Sequence, residues 1–121
     1  MLAPWLETPG ASRRLAEWSA SCGLDLERLG TTATLQEITD TAVTQPLVVA
    51  SALLGAAELR RRGQVPTDTL VAGHSIGEVA ALAIAGVISE VDALRLASVR
   101  GAAMSRTCAE RPTGMIAVLG G

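Results

Sequence analysis

Apolar positions recur at helical spacing through most of this 121-residue chain, and close up into short β-prone runs at only two places. Ser12 predicts an N-cap, and Leu15, Trp18 and Cys22 then share one face of a first helix that Gly23 stops. Residues 24–40 read as short helical turns anchored by Leu24, Leu26, Leu29, Leu35 and Ile38. Thr44 as cap and Pro46 in the first turn predict a helix that is apolar nearly all round from Leu47 to Leu59, the mark of an element buried on several sides. Arg60, Arg61 and Arg62 then meet the negative end of its dipole, and Gly63 ends it. After a polar loop with Pro66, Thr69 to Ala72 predicts a buried strand. Helix follows from about Ile76 to Ala85, and Gly86 breaks it. Ser89 with Asp92 caps a last helix that reaches about Glu110. Met115 to Leu119 reads as a second strand. Strand, helices, strand in this order predicts a parallel pair joined by a crossover, hence an α/β fold. Two strands have little stability of their own, so the pattern implies further strands on both sides, before Met1 and after Gly121.

Composition agrees with a chain that must cover its apolar surface. Apolar residues make up 49% and charged ones only 18%, where about a quarter charged is usual. Net charge is −2 with no basic stripe, which gives no support for nucleic-acid binding. Cys22 and Cys108 are isolated, lack metal-ligand spacing and lie in helical runs, so they read as reduced core thiols of a cytoplasmic protein. The start lacks the basic flank and apolar block of a signal peptide. The apolar stretches at 42–59 and 71–88 are broken by Gln45, Pro46, His74 and Glu78, which argues against a bilayer span.

Chemistry concentrates at Gly73-His74-Ser75-Ile76-Gly77, a G-x-S-x-G stretch with a predicted strand before it and a helix after it. That context describes a nucleophile elbow: a sharp turn presents the serine hydroxyl, and small residues flank it where backbone passes close. The N–H of Ile76, helped by the positive helix start, is placed to meet a developing oxyanion. The bland alternative is a glycine-flanked turn with a capping serine. His74 is the only histidine, but neighbours on a sharp turn project apart, so it reads as a wall of the pocket or a backbone partner, not as the base for Ser75. Glu78 in the first turn fits the helix dipole. In the last helix, Val91, Leu94, Ala97, Gly101, Met104 and Cys108 form an apolar stripe, with Arg95 and Arg106 opposite and Arg100 on its shoulder. A guanidinium half-turned toward the core wants a carboxylate, either a Glu of the chain or one carried by a substrate.

The segments "TQPLVVASALL", "VAGHSIGEVAALAIAGVIS", "DALRLASVRGAAM" and "TGMIAVLGG", in this order and spacing, resemble the malonyl-CoA:acyl-carrier-protein transacylases and the acyltransferase domains of polyketide and fatty-acid synthases. The resemblance covers the whole chain and is strongest over 44–121. It implies transfer of a malonyl group from malonyl-CoA to the phosphopantetheine thiol of acyl carrier protein. Ser75 would be the acylated nucleophile and Arg100 the two-pronged clamp on the malonyl carboxylate. The Ile76 N–H would be an oxyanion donor, and no metal or redox cofactor is required. A branched residue at Ile76 leans toward malonyl over methylmalonyl. No nucleic-acid or membrane partner is expected. The family's oxyanion glutamine in a Gly-Gln-Gly segment, its catalytic histidine and most of its ferredoxin-like subdomain find no match here. The chain therefore reads as residues 1–121 of an incomplete large subdomain of the α/β-hydrolase-like acyltransferase fold, mostly helical with a short parallel sheet and inactive alone. Two other readings are a serine hydrolase that shares the elbow and a non-catalytic subunit that pairs with a partner carrying the missing parts.

Overall fold

The computed structural model describes residues 1–110, 116, 119 and 120. After a 3-10 turn at Ala3–Trp5, its α-helices are α1 (Ala11–Cys22), α2 (Leu26–Thr31), α3 (Leu35–Thr39), α4 (Thr41–Arg61), α5 (Ile76–Ile84) and α6 (Glu90–Glu110). Local chemistry sets most of the boundaries. Asp25 accepts the Arg28 N–H to start α2, and Thr34 with Glu37 closes a capping box on α3. Ser89 accepts the Asp92 N–H at 3.0 Å ahead of α6. Gly23, Gly63 and Gly86 take the left-handed conformation just past α1, α4 and α5, where the sequence predicts the stops.

The predicted start of α4 is corrected. Asp40 caps it, accepting the Ala42 N–H at 2.8 Å, so the helix begins at Thr41 and Pro46 lies in its second turn. Thr44 instead donates its hydroxyl to the Ile38 carbonyl, which ties α3 to α4. α4 is the hub, packed by all five other helices, and buries Leu47, Val49, Ala50, Leu53 and Leu54. By length and composition alone it is apolar enough to cross a membrane. Its all-round apolar character is explained by neighbours on every side. α6 packs against it and buries Leu94 together with Ala93, Ala97 and Gly101, small residues that let helix axes approach closely. Arg14 of α1 pins α6 through an ion pair to Glu90 at 2.5 Å and lies 4.8 Å over the Trp18 ring.

No strand is present among the described residues, so the predicted sheet is not seen. Thr69–Ala72 is irregular and exposed, with Leu70 at 95%. A β-prone run becomes a strand only when another backbone pairs with it, and none does so among the described residues. Most of the second predicted strand, Met115 to Leu119, lies outside the described residues, as do Pro112 and Gly114. Two predicted core positions are also exposed: Leu35, at 79%, and Cys108. Cys22 is half-buried, and burial raises its thiol pKa.

The three arginines that close α4 divide their work. Arg60 donates to the Ile84 carbonyl at the end of α5, so it caps its neighbour and not its own helix. Arg61 and Arg62 both reach Glu58, which is 6% exposed, at 2.7 and 2.6 Å. Those bonds, Arg61's first, hold the Glu58 carboxyl at about 2, below its ordinary 4.5. A depressed folded-state pKa stabilises the fold fully above the unfolded value and is lost as pH falls through the folded one. Thermal melting should therefore fall between pH 4.5 and 2, and Glu58→Gln should flatten that slope. An unchanged slope in the variant would show that the trio does not hold the end of α4.

Candidate active site

Ser75 has φ 57° and ψ −118°, and is the only residue other than glycine with positive φ among the described residues. Such a conformation costs on the order of 1–3 kcal/mol and persists only where its surroundings enforce it. Three hydrogen bonds do so. The Gly77 N–H donates to the His74 carbonyl at 3.0 Å, and the Glu78 N–H to the Ser75 carbonyl at 3.1 Å. The Ser75 N–H donates to the Glu78 carboxylate at 3.1 Å. Glu78, legible in the sequence only as a charge suited to the helix dipole, thus locks the bend by its side chain.

The flanking glycines are not equivalent. A Cβ on Gly73 would stand 2.1 Å from the Gly77 carbonyl carbon and oxygen and 2.4 Å from the Glu78 nitrogen, all backbone atoms that cannot swing aside. A Cβ on Gly77 would meet nothing within 4 Å, so the expectation that both must be small holds at Gly73 alone. Gly73→Ala is expected to destabilise the chain by about 1–3 kcal/mol in chemical denaturation, and Gly77→Ala, in a helix and facing open space, to leave stability unchanged or raise it by up to about 1 kcal/mol. Equal effects would show that the close approach is not what shapes the turn.

Arg100 reaches this bend from α6. Gly101 sits so close to the start of α4 that a Cβ there would lie 2.4 Å from the Thr41 carbonyl oxygen. The Thr41 hydroxyl donates to the Gly101 carbonyl at 2.9 Å. This approach sets residue 100 beside Gln45 and above the start of α5. Its Nη2 donates to Ser75 Oγ at 3.0 Å, and its Nη1 to Gln45 Oε1 at 2.6 Å. Arg100 is half-buried and makes no ion pair with an acid among the described residues, so the Glu partner considered from the sequence is not found. Arg95 and Arg106 are exposed, as the helical spacing predicts, and Arg95 faces Asp92 at 3.5 Å.

The Ile76 side chain packs against the core, while its N–H, in the first turn of α5, has no preceding turn to bond to. His74 is exposed, and no hydrogen bond joins its ring to Ser75 among the described residues. The fold thus gathers the Ser75 hydroxyl, the free helix start and the Arg100 guanidinium. The sequence reading missed Gln45 as part of this group. Its signal was a polar residue interrupting an apolar helix.

The model of the acyl transferase domain family matches residues 10–119. The chain belongs to that family. A malonyl CoA-acyl carrier protein transacylase of Mycolicibacterium smegmatis is 66% identical over 121 residues, which is 100% of this chain and 42% of that protein. Its counterpart in Mycobacterium tuberculosis is 60% identical over 122 residues, 100% of this chain and 40% of that protein. In Escherichia coli K12 a protein of the same name is 38% identical over 113 residues, 93% and 36% respectively. The crystal structure of MCAT from Mycobacterium tuberculosis superposes with a TM-score of 0.85 at 57% identity, covering 92% of this chain and 37% of that one. The chain thus spans about two fifths of the length of the curated relatives it matches. Within this acyl transferase frame, Ser75 at the elbow and Arg100 above it lie inside the matched residues.

Proposed function

We propose that this chain is the serine-bearing part of a malonyltransferase that moves a malonyl group from malonyl-CoA to the phosphopantetheine thiol of acyl carrier protein. The observation that carries the reading is the 3.0 Å contact between a guanidinium with no acid partner among the described residues and the hydroxyl of a strained serine. A malonyl ester on Ser75 would extend its free carboxylate toward that cation. Ser75 Oγ attacks the thioester carbonyl as its proton passes to a base. The tetrahedral oxyanion gathers against the Ile76 N–H and the positive start of α5. Collapse expels the coenzyme A thiolate and leaves the serine ester. Attack by the carrier thiol reverses the sequence and restores the serine. The whole is an exchange between two thiols with no net oxidation, so no redox cofactor or metal is called for. Arg100 replaces the water lost by the substrate carboxylate with a two-pronged, charge-assisted pair. The exposed His74 borders the bend and takes no proton-transfer role. The branched Ile76 favours malonyl over bulkier acyl groups.

On this reading residues 1–121 form part of one large subdomain, and Thr69–Ala72 supplies a strand to a short parallel sheet in the whole protein. The exposure of Leu70 and Val71 supports that, as does the apolar groove of about 520 Å³ that they line with Leu59 and Ile84. Two free thiols fit a reducing cytoplasm, with neither nucleic acid nor membrane as partner. A serine hydrolase would share the elbow but has no use for a cation held above the serine by a neutral amide.

The test uses the full-length Mycolicibacterium smegmatis relative with its matching segment replaced by residues 1–121. Given malonyl-CoA, it should carry a malonyl ester on Ser75 by peptide mass spectrometry, and release it to carrier protein faster than to water. A folded polypeptide that hydrolyses the thioester without transfer would support the hydrolase instead. One that does neither would overturn both.

A further inference from the structure

Gln45 is 5% exposed, a buried amide in a helix whose other inward side chains are mostly apolar. Both ends of the amide are engaged. Its Oε1 accepts from Arg100 Nη1 at 2.6 Å, and its Nε2 donates to Met104 Sδ at 3.1 Å. The orientation follows from chemistry, since a guanidinium only donates and the reversed amide would set donor against donor. Met104 stands one helical turn beyond Arg100 on α6, so a single side chain of α4 grips two successive turns of α6. The other prong of Arg100 is thereby left at Ser75 Oγ, 3.0 Å away.

The grip is neutral. A carboxylate at the same place would accept the same hydrogen bond, but it would also supply a counter-charge at contact distance, in a half-buried setting where such attraction is strong. An incoming malonyl carboxylate would then have to displace or share an ion pair already formed. With an amide there, the cation is oriented and its charge remains available. We propose that Gln45 is a positioning residue that sets the charge selectivity of the site by aiming Arg100 at Ser75 without neutralising it. The inference rests on the malonyltransferase reading and adds the device by which an anionic acyl group is favoured.

The experiment measures kcat and KM for malonyl-CoA and acetyl-CoA with the same full-length polypeptide and its Gln45→Glu, Gln45→Met and Arg100→Ala variants. Gln45→Glu keeps shape and the acceptor toward Arg100, gives up the weak donor bond to Met104 and adds one charge. It should lower kcat/KM for malonyl-CoA by about tenfold to a hundredfold, mainly through KM, the scale of one hydrogen bond to a charged group. The loss for acetyl-CoA should be at least about fivefold smaller, because that substrate brings no carboxylate to compete. Gln45→Met removes the acceptor at similar volume and should lower kcat for malonyl-CoA more than for acetyl-CoA, because the guanidinium is no longer aimed. Thermal melting of each variant separates these effects from unfolding, and if Gln45→Glu does not fold, the Gln45→Met comparison decides. Equal losses for the two acyl groups in the folded variants would mean that Gln45 only packs, and would overturn the inference. If Arg100→Ala also leaves the malonyl-to-acetyl ratio unchanged, the fault lies with the malonyltransferase reading. If Arg100→Ala collapses the ratio and the Gln45 variants do not, the fault lies with this inference alone.

Discussion

Ser75→Ala in the full-length polypeptide is expected to abolish the proposed malonyl transfer, by on the order of 10⁴-fold or more, the scale on which a covalent mechanism suffers when its nucleophile is removed. The serine occupies a backbone conformation, φ 57° and ψ −118°, that only surrounding bonds enforce, so the loss must be separated from a change in folding. Ser75→Gly provides the separation. Glycine adopts positive φ without the Cβ penalty, so this variant should be as inactive as Ser75→Ala yet melt no lower than the parent. Mass spectrometry of both variants with malonyl-CoA should show no stable acyl adduct on the peptide that spans residue 75. A surviving adduct there, or turnover within tenfold of the parent, would place the nucleophile elsewhere.

Arg100→Ala is expected to change which acyl group is used more than whether acyl groups are used. The guanidinium offers charge-assisted hydrogen bonds worth about 1.5–3 kcal/mol each. Loss of one to two such bonds from the malonyl carboxylate alone should lower the malonyl-to-acetyl ratio of kcat/KM by roughly 10- to 10⁴-fold. Lysine at 100 restores charge but not the planar fork, so Arg100→Lys should recover only part of the ratio. The contact with Ser75 Oγ adds a second effect. A cation 3.0 Å from the hydroxyl favours the developing alkoxide, so acetyl transfer also slows, though by less. A variant that loses both substrates in equal measure would make Arg100 a support for the serine and not a reader of charge.

Much of the local structure was legible because it depends on neighbours in sequence. Gly23, Gly63 and Gly86 stop helices by their own backbone freedom, and Ser89 caps α6 with a partner three residues on. Arg100 was legible as a shoulder residue because helical periodicity alone sets its angle to the stripe Leu94, Ala97 and Gly101. The start of α4 was not, because Thr44 and Asp40 are both competent caps. Tertiary contact chose between them by sending the Thr44 hydroxyl to the Ile38 carbonyl.

By itself, the sequence determined most of the helices and the bend at Ser75, since each depends on spacing along one chain, and its segments around Ser75 and Arg100 carry the resemblance to the acyl transferase family. The tertiary structure decided what the charged groups face. It gave Arg60 to the end of α5, Arg61 and Arg62 to Glu58, and Arg100 to Gln45 and Ser75. It also left Thr69–Ala72 without a strand partner among the described residues. Spacing fixes only the direction in which a side chain or strand edge points. What it meets there is set by how α4, α5 and α6 cross, and that crossing depends on close approaches such as the one at Gly101 that no local pattern records.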